Sequence, residues 1–239
     1  TVTGVQTCAL PIFRRLKTDY VDLYQLHRFD YETPIEESLT AFDDLIRQGK
    51  VLYIGFSEWN AKQISDGLSF QKQKGFDQFV SSQPQYSMLW RVIEKEVVPV
   101  CESNGIGQIV WSPIAQGVLS GKYQAGKKPP KKSRATDKKG GAEMISKFMR
   151  DDLLRAVENL RPIAKKLDLT MAQLAVAWVL QNPNVSSAII GATKPDQIKE
   201  NVKAAGVKIP SEIMLEIDSV IGRFAEKDPA KTISPQPRA

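Results

Sequence analysis

Four candidate strands end at nearly even intervals, and that rhythm restricts the fold more than any other feature of the chain. Apolar, β-prone runs at Tyr20–His27, Val51–Ser57, Gln78–Gln83 and Gly107–Ser112 end at residues 27, 57, 83 and 112, so successive ends lie 30, 26 and 29 residues apart. A period near thirty is one strand–helix unit, repeated. A fifth run, Ser187–Thr193 (SAIIGAT), closes the series. Near-continuous apolar runs of this kind suit strands covered on both faces of a parallel sheet.

Helical signals fill the intervals. Thr33-Pro-Ile-Glu36 reads as a capping box with proline at the first helical position, and Ile35, Leu39, Phe42, Leu45 and Ile46 recur at helical spacing up to Gly49. Asn60 is placed to cap a second helix that ends near Gly75, and a third is expected over Ile93–Ser103, stopping at Asn104-Gly105. Asp151 or Asp152 opens a longer one carrying Leu153, Val157, Leu160 and Leu167. Thr170-x-x-Gln173 is a second capping box, and two further helices are expected near Pro195–Ala205 and Pro210–Val220.

These elements amount to five strand–helix units, with a Gly-, Pro- and Lys-rich excursion over Gly117–Gly141 and an extra C-terminal helix. A closed parallel barrel takes eight units and about 250 residues. The expected fold is therefore α/β: a partial (β/α)8 TIM barrel made of its five C-terminal units. An open doubly wound sheet is the competing architecture, but no glycine-rich dinucleotide fingerprint marks a crevice for it. Three segments are expected: 1–13, a foreign or disordered leader without strand–helix periodicity; 14–222, the partial barrel; and 223–239, a polar, proline-containing flexible tail.

Composition narrows the classes of function. With one histidine, and with Cys8 and Cys101 far apart, no multi-histidine or cysteine metal site can be built, and two thiols make no disulfide framework. That pattern fits a reducing cytoplasm. No run of about 18 apolar residues is present, so no membrane partner is expected, and Val5–Phe13 does not read as a signal peptide. The net charge is +6, and much of it falls in Lys127–Lys139. That stretch has no aromatic residue for base stacking, so nucleic acid is not expected; it reads as a solvated loop, or as one that closes on an anionic cofactor.

The lone histidine, His27, closes a strand. A lone histidine is commonly a satisfied core or surface residue, but the C-terminal ends of parallel strands are where active sites gather. Here the motifs become recognisable. DYVDLYQLH (19–27), IGFS (54–57), SSQPQY (81–86), IVWSPIAQG (109–117) and IIGATKPDQIKEN (189–201) resemble, in order, the fourth to eighth strands of the aldo-keto reductase family. WSPIAQG and GKY…SRA are similar to the branch holding bacterial reductases and β subunits of voltage-gated potassium channels. The resemblance runs from about Lys17 to Gly222.

That resemblance implies hydride transfer from NADP(H) to a small-molecule aldehyde or ketone, with Asp, Tyr, Lys and His as the catalytic tetrad. Only the histidine has a match here, His27, against the carbonyl oxygen. The other three would precede this chain's first residue, so the 239-residue chain by itself is expected to lack reductase activity. The competing function is a non-enzymatic NADP(H)-binding regulatory or interaction module. Oligomeric state is not readable from the sequence.

The cofactor set is fuller. Ser57 and Gln83 match residues that bind the nicotinamide carboxamide, although Glu58 stands where the family often has asparagine. Trp111 matches the aromatic stacked on the ring; its alternative is a core tryptophan. Ser112, Ile114 and Gly117 match the loop cradling the pyrophosphate, and Lys122 and Arg134 match basic residues of the loop that folds over it. Gly191, Thr193 and Lys194 precede a helix N-terminus, an anion site suited to the adenosine 2′-phosphate. Gln197, Glu200 and Asn201 match the adenosine-binding set, the alternative for the last two being plain helix-surface polars.

Overall fold

In a computed structural model, residues 11–232 are described; residues 1–10 of the expected leader and 233–239 of the expected tail lie outside them. A short helical stretch at 11–16 is followed by a five-stranded sheet: β1 (Val21–Leu26), β2 (Val51–Phe56), β3 (Ser81–Ser82), β4 (Gly107–Trp111) and β5 (Val185–Ile189). The strand order is β1-β2-β3-β4-β5, and β1 to β4 pair in parallel. Consecutive strands are neighbours and the sheet does not close, the arrangement of a partial (β/α)8 barrel. The chain divides into two compact units.

The first unit, which among the described residues takes in 11–84, 93–108 and 228–232, holds β1 to β3 and the start of β4, with helices α1 (Ile35–Arg47), α2 (Ala61–Lys74) and α3 (Val97–Ser103). α1 buries Leu39, Phe42 and Leu45, the face the helical spacing selects. The capping box read at Thr33 does not form. Thr33 donates its hydroxyl to Asp30 Oδ2 at 2.8 Å, and Pro34 precedes α1 without a side-chain cap. Asn60 does cap α2: its Oδ1 accepts from Gln63 N at 2.9 Å, and Gln63 Oε1 accepts from Asn60 N at 3.0 Å. α3 starts at Val97 rather than Ile93, since residues 92–96 are turn. β3 is shorter than the apolar run, but backbone bonds from Val80 N to Ile54 O (2.9 Å) and Gln83 N to Phe56 O (2.8 Å) extend the pairing on both sides of it.

Phe56 ties this unit together. It stacks on Trp59 at 5.1 Å and meets Phe79 edge-on at 5.0 Å, while Phe29 approaches Trp59 at 5.1 Å. Offset and edge-on pairs of this kind contribute about 0.5–1.5 kcal/mol each beyond burial. Cys101 is fully buried, its thiol hydrogen-bonded to the side chains of Gln108 and Ser82.

The second unit, 85–92 and 109–227, holds the end of β4, β5, and α4 (Gly141–Ile145), α5 (Asp151–Glu158), α6 (Arg161–Lys166), α7 (Met171–Val179), α8 (Pro195–Val202) and α9 (Ser211–Ile221). α7 is its axis: apart from Ala172, every residue of this apolar helix is buried. The Thr170 box caps it, with Thr170 Oγ1 accepting from Gln173 N at 3.2 Å. The long helix read from Asp151 onward is two, because Pro162, in the first turn of α6, has no N–H to continue the ladder. β5 begins two residues earlier than the expected run and ends at Ile189, after a turn in which Val185 N donates to Asn182 O at 2.9 Å.

Of the segment read as a tail, 223–232 is described. Phe224 closes a 3-10 turn, and Glu226 exchanges backbone hydrogen bonds with Leu89 (3.1 Å) and Arg91 (2.7 Å). Arg91 also pairs with Asp218 and lies 5.3 Å over the Trp178 ring.

Two outcomes follow from the first unit. A Cβ on Gly55 would collide with Ser81 Oγ and come within 2.6 Å of Ser81 O. Gly55→Ala is expected to lower unfolding stability by about 1–3 kcal/mol in urea titration; a change under about 0.5 kcal/mol would contradict this packing. Burial raises the Cys101 thiol from 9.0 to about 11. The unfolded thiol ionises first, so its contribution to stability is lost as pH rises from about 9 towards 11. Native Cys101 is expected to resist alkylation at pH 8.5 and to react once unfolded, as peptide mapping would read.

Candidate functional site

In the first unit the chemistry lies just past the ends of parallel strands. His27 follows β1 and is exposed. Ser57 follows β2 and is buried; its hydroxyl donates to Gln83 O at 2.7 Å. Gln83 follows β3 and is half-buried, and its N–H donates to Phe56 O. Ser57 and Gln83, distant in sequence, are thus bonded to one another. The Ser57 oxygen keeps acceptor capacity after donating, so it can receive an amide N–H. Glu58 is 7% exposed with φ +57°, a left-handed conformation that is uncommon away from glycine, asparagine and aspartate.

In the second unit Trp111 ends β4 half-buried, and its carbonyl accepts from Tyr86 N at 3.2 Å. The turn after it is unusual. Ser112, Ala115, Gln116 and Gly117 all have positive φ, 61°, 45°, 59° and 96°. Gln116 Nε2 donates to Ser112 Oγ at 2.8 Å, and Ile114 O accepts from the N–H groups of Gly117 and Leu119. Gly117 is favoured by its backbone, at φ 96°, and a Cβ there would stand 2.7 Å from Lys122 Nζ, the movable end of a long side chain. The Lys122 ammonium therefore lies directly over this turn. Ala115 N and Gly117 N are taken up within the turn, by Ser112 O and Ile114 O, so it is the Lys122 cation that offers an anion a partner here. Arg134 opens a 3-10 turn and is exposed, with Nη1 3.7 Å from Met144 Sδ.

Gly191, Thr193 and Lys194 lie exposed between β5 and α8. Here Gln197 does what an anion would do: its Oε1 accepts from Thr193 N (2.7 Å), Thr193 Oγ1 (3.2 Å) and Lys194 N (3.2 Å). Three donors already converge on one oxygen. Asn201 is 9% exposed, not a surface polar, whereas Glu200 is exposed and pairs with Lys203 at 2.7 Å.

A cleft of about 620 Å³ within this unit is lined by Ser120, Arg161, Asp168, Gln173, Glu200 and Lys203, among others. Of the site residues expected from the sequence, only Glu200 borders it. Gln173 was legible as a cap, but its second role was not: Nε2 donates to Glu200 O at 2.7 Å and anchors α8 to α7. No pattern in the sequence connects positions 173 and 200. Arg161, paired with Glu158 at 2.7 Å, has no motif either.

An open parallel sheet with polar side chains past its strand tips places the chain among barrel-type α/β proteins. The model of the aldo/keto reductase family matches residues 3–222, and the chain belongs to that family. Among its relatives is a probable voltage-gated potassium channel subunit beta of Arabidopsis thaliana, 41% identical over 208 residues, which are 87% of this chain and 62% of that protein. A protein of the same description from Oryza sativa subsp. japonica is 40% identical over 211 residues, 87% of this chain and 64% of the relative. A putative one from Schizosaccharomyces pombe is 39% identical over 212 residues, 87% and 61%. The chain thus spans about three-fifths of the length of these relatives.

Gln173→Ala removes both the donor to Glu200 O and the reciprocal half of the Thr170 box. A loss of about 1–2 kcal/mol is expected, with faster amide exchange over 200–204. Unchanged exchange there would show that the bond does not hold α8.

Proposed function

We propose that this chain carries NADP(H)-binding segments of a carbonyl reductase that converts aldehydes and ketones to alcohols. The observation that carries the reading is the pair of anion-ready turns in the second unit: the positive-φ turn 112–117 beneath Lys122, and the Thr193/Lys194 donors gathered on Gln197. Family membership supports the same cofactor.

On this reading the first turn and Lys122 bind the pyrophosphate, aided by Arg134. Thr193 and Lys194 bind the 2′-phosphate, whose oxygens take over the donors that Gln197 now satisfies. Gln197, Glu200 and Asn201 then face adenosine. In the first unit Ser57 accepts from the carboxamide while Gln83 fixes its orientation. Trp111 in the second supplies an aromatic face. The cofactor supplies the hydride. His27, past the tip of β1, donates a hydrogen bond to the substrate oxygen and stabilises the charge developing on it. Proton donation to that oxygen is assigned to no residue of this chain.

Titration of NADPH fluorescence tests the cofactor. Hydrogen bonds to charged groups contribute about 1.5–3 kcal/mol, so Lys194→Ala is expected to weaken NADPH about tenfold or more while leaving NADH nearly unchanged. Equal affinity for NADPH and NADH in the parent protein would overturn the 2′-phosphate assignment. With no proton donor assigned among its residues, the 239-residue chain is expected to bind NADPH without reducing 4-nitrobenzaldehyde; measurable reduction would show that it holds a proton donor of its own.

A further inference from the structure

The charge of this protein is not spread over its surface. Residues 127–139 carry seven cations, Lys127, Lys128, Lys131, Lys132, Arg134, Lys138 and Lys139, against one carboxylate, Asp137. That surplus equals the net +6 of the entire chain, so the remaining residues balance to zero. All seven cationic residues are exposed. Among the described residues, Lys128, Lys131, Lys132, Lys138 and Lys139 enter no ion pair, in contrast to Arg155, Arg161, Lys166 and Lys203, which each have a carboxylate partner. Like charges held this close repel one another, and nothing within the segment relieves the repulsion except Asp137.

The chemistry of the segment narrows what it meets. Six of the seven cations are lysine, a hydrated point charge rather than the planar fork suited to one fixed phosphate. No aromatic residue stands among them to stack on a base. An apolar side chain does lie beside them: Met144 in α4 is 50% exposed, and its sulfur is 3.7 Å from Arg134 Nη1. A thioether gains nothing from a nucleic-acid backbone, but it gains by entering the boundary between headgroups and acyl chains. Clusters of four to eight basic residues beside a membrane anchor or on an amphipathic helix bind anionic lipid surfaces, and residues 127–139 carry a cluster of that size with an apolar neighbour.

We propose that the 127–139 segment, with Met144, docks the protein peripherally on an anionic lipid surface. The absence of a spanning run, which led to the expectation of no membrane partner, bears on crossing a bilayer and not on lying against one. Arg134 belongs both to this segment and to the residues assigned to NADP(H), whereas Lys128, Lys131, Lys132 and Lys138 are assigned to the cofactor nowhere, so the variant that tests the docking leaves Arg134 in place.

Co-sedimentation of the protein with vesicles tests it. Binding is expected to vesicles of 70% phosphatidylcholine and 30% phosphatidylserine at low salt, with little to pure phosphatidylcholine. Raising salt to about 0.5 M, where the screening length shrinks to a few ångströms, is expected to release it. Replacing Lys128, Lys131, Lys132 and Lys138 together by glutamine is expected to lower the partition coefficient at least tenfold with the NADPH titration unchanged. Met144→Ser is expected to lower it a few-fold at constant charge. Equal binding to both vesicle types, no binding by the parent protein, or binding to a 30-base-pair duplex in place of vesicles would each overturn the proposal.

Discussion

The near contact of β2 with β3 at Gly55 and Ser81 governs the polar chemistry of the first unit. Without a side chain at Gly55, Ser81 can lie against the neighbouring backbone. That approach sets the register in which Gly55 faces Ser81 and Phe56 faces Ser82. One step further along, the same register delivers Gln83 N to Phe56 O and the Ser57 hydroxyl to Gln83 O. A parallel ladder is thereby extended by a side chain at the point where the strands stop. The aromatic group of Phe29, Phe56, Trp59 and Phe79 holds the end of β2 from behind. A serine held by both backbone and packing loses little conformational freedom on meeting a ligand, which is the physical content of preorganisation.

The second unit concentrates its unusual backbone just after β4. It uses four positive-φ residues in one turn, three of which are not glycine. Left-handed conformations of that kind cost free energy and persist where the surroundings enforce them. Here the Gln116–Ser112 hydrogen bond and the bonds to Ile114 O supply the enforcement. At the start of α8 Gln197 Oε1 accepts from Thr193 N, Thr193 Oγ1 and Lys194 N, so these donors are not left orphaned. On the proposed reading a phosphate would displace that glutamine, because a full negative charge makes stronger hydrogen bonds than a neutral amide oxygen.

The regular spacing of strand ends carried the fold, because a βα unit has a nearly fixed length and each unit leaves its own apolar run. Caps that depend on residues three apart, Asn60 with Gln63 and Thr170 with Gln173, were equally legible. Thr33 misled because Asp30, three residues upstream, competes for its hydroxyl, and local patterns do not rank competing partners. The positions of Ser57, Gln83, Trp111 and Asn201 were suggested by family motifs rather than by physics. For Asn201, read as an adenosine contact with a helix-surface polar as the alternative, the motif says nothing of burial, and the residue is 9% exposed. Bonds that join distant segments, Gln173 to Glu200 or Arg91 to Asp218, leave no trace in sequence, since nothing in either segment specifies the other.

On the proposed reading, the turn 112–117 and the segment 191–201, which runs from the end of β5 into α8, receive the phosphates and adenosine of NADP(H). Hydrogen–deuterium exchange with and without 2′,5′-ADP, which carries the 2′-phosphate but no nicotinamide, tests it most directly. Slowed exchange at the amides of 193–201, with 5′-AMP giving much less protection, is the expected result. Protection that is absent there, or equal for the two nucleotides, would contradict the account.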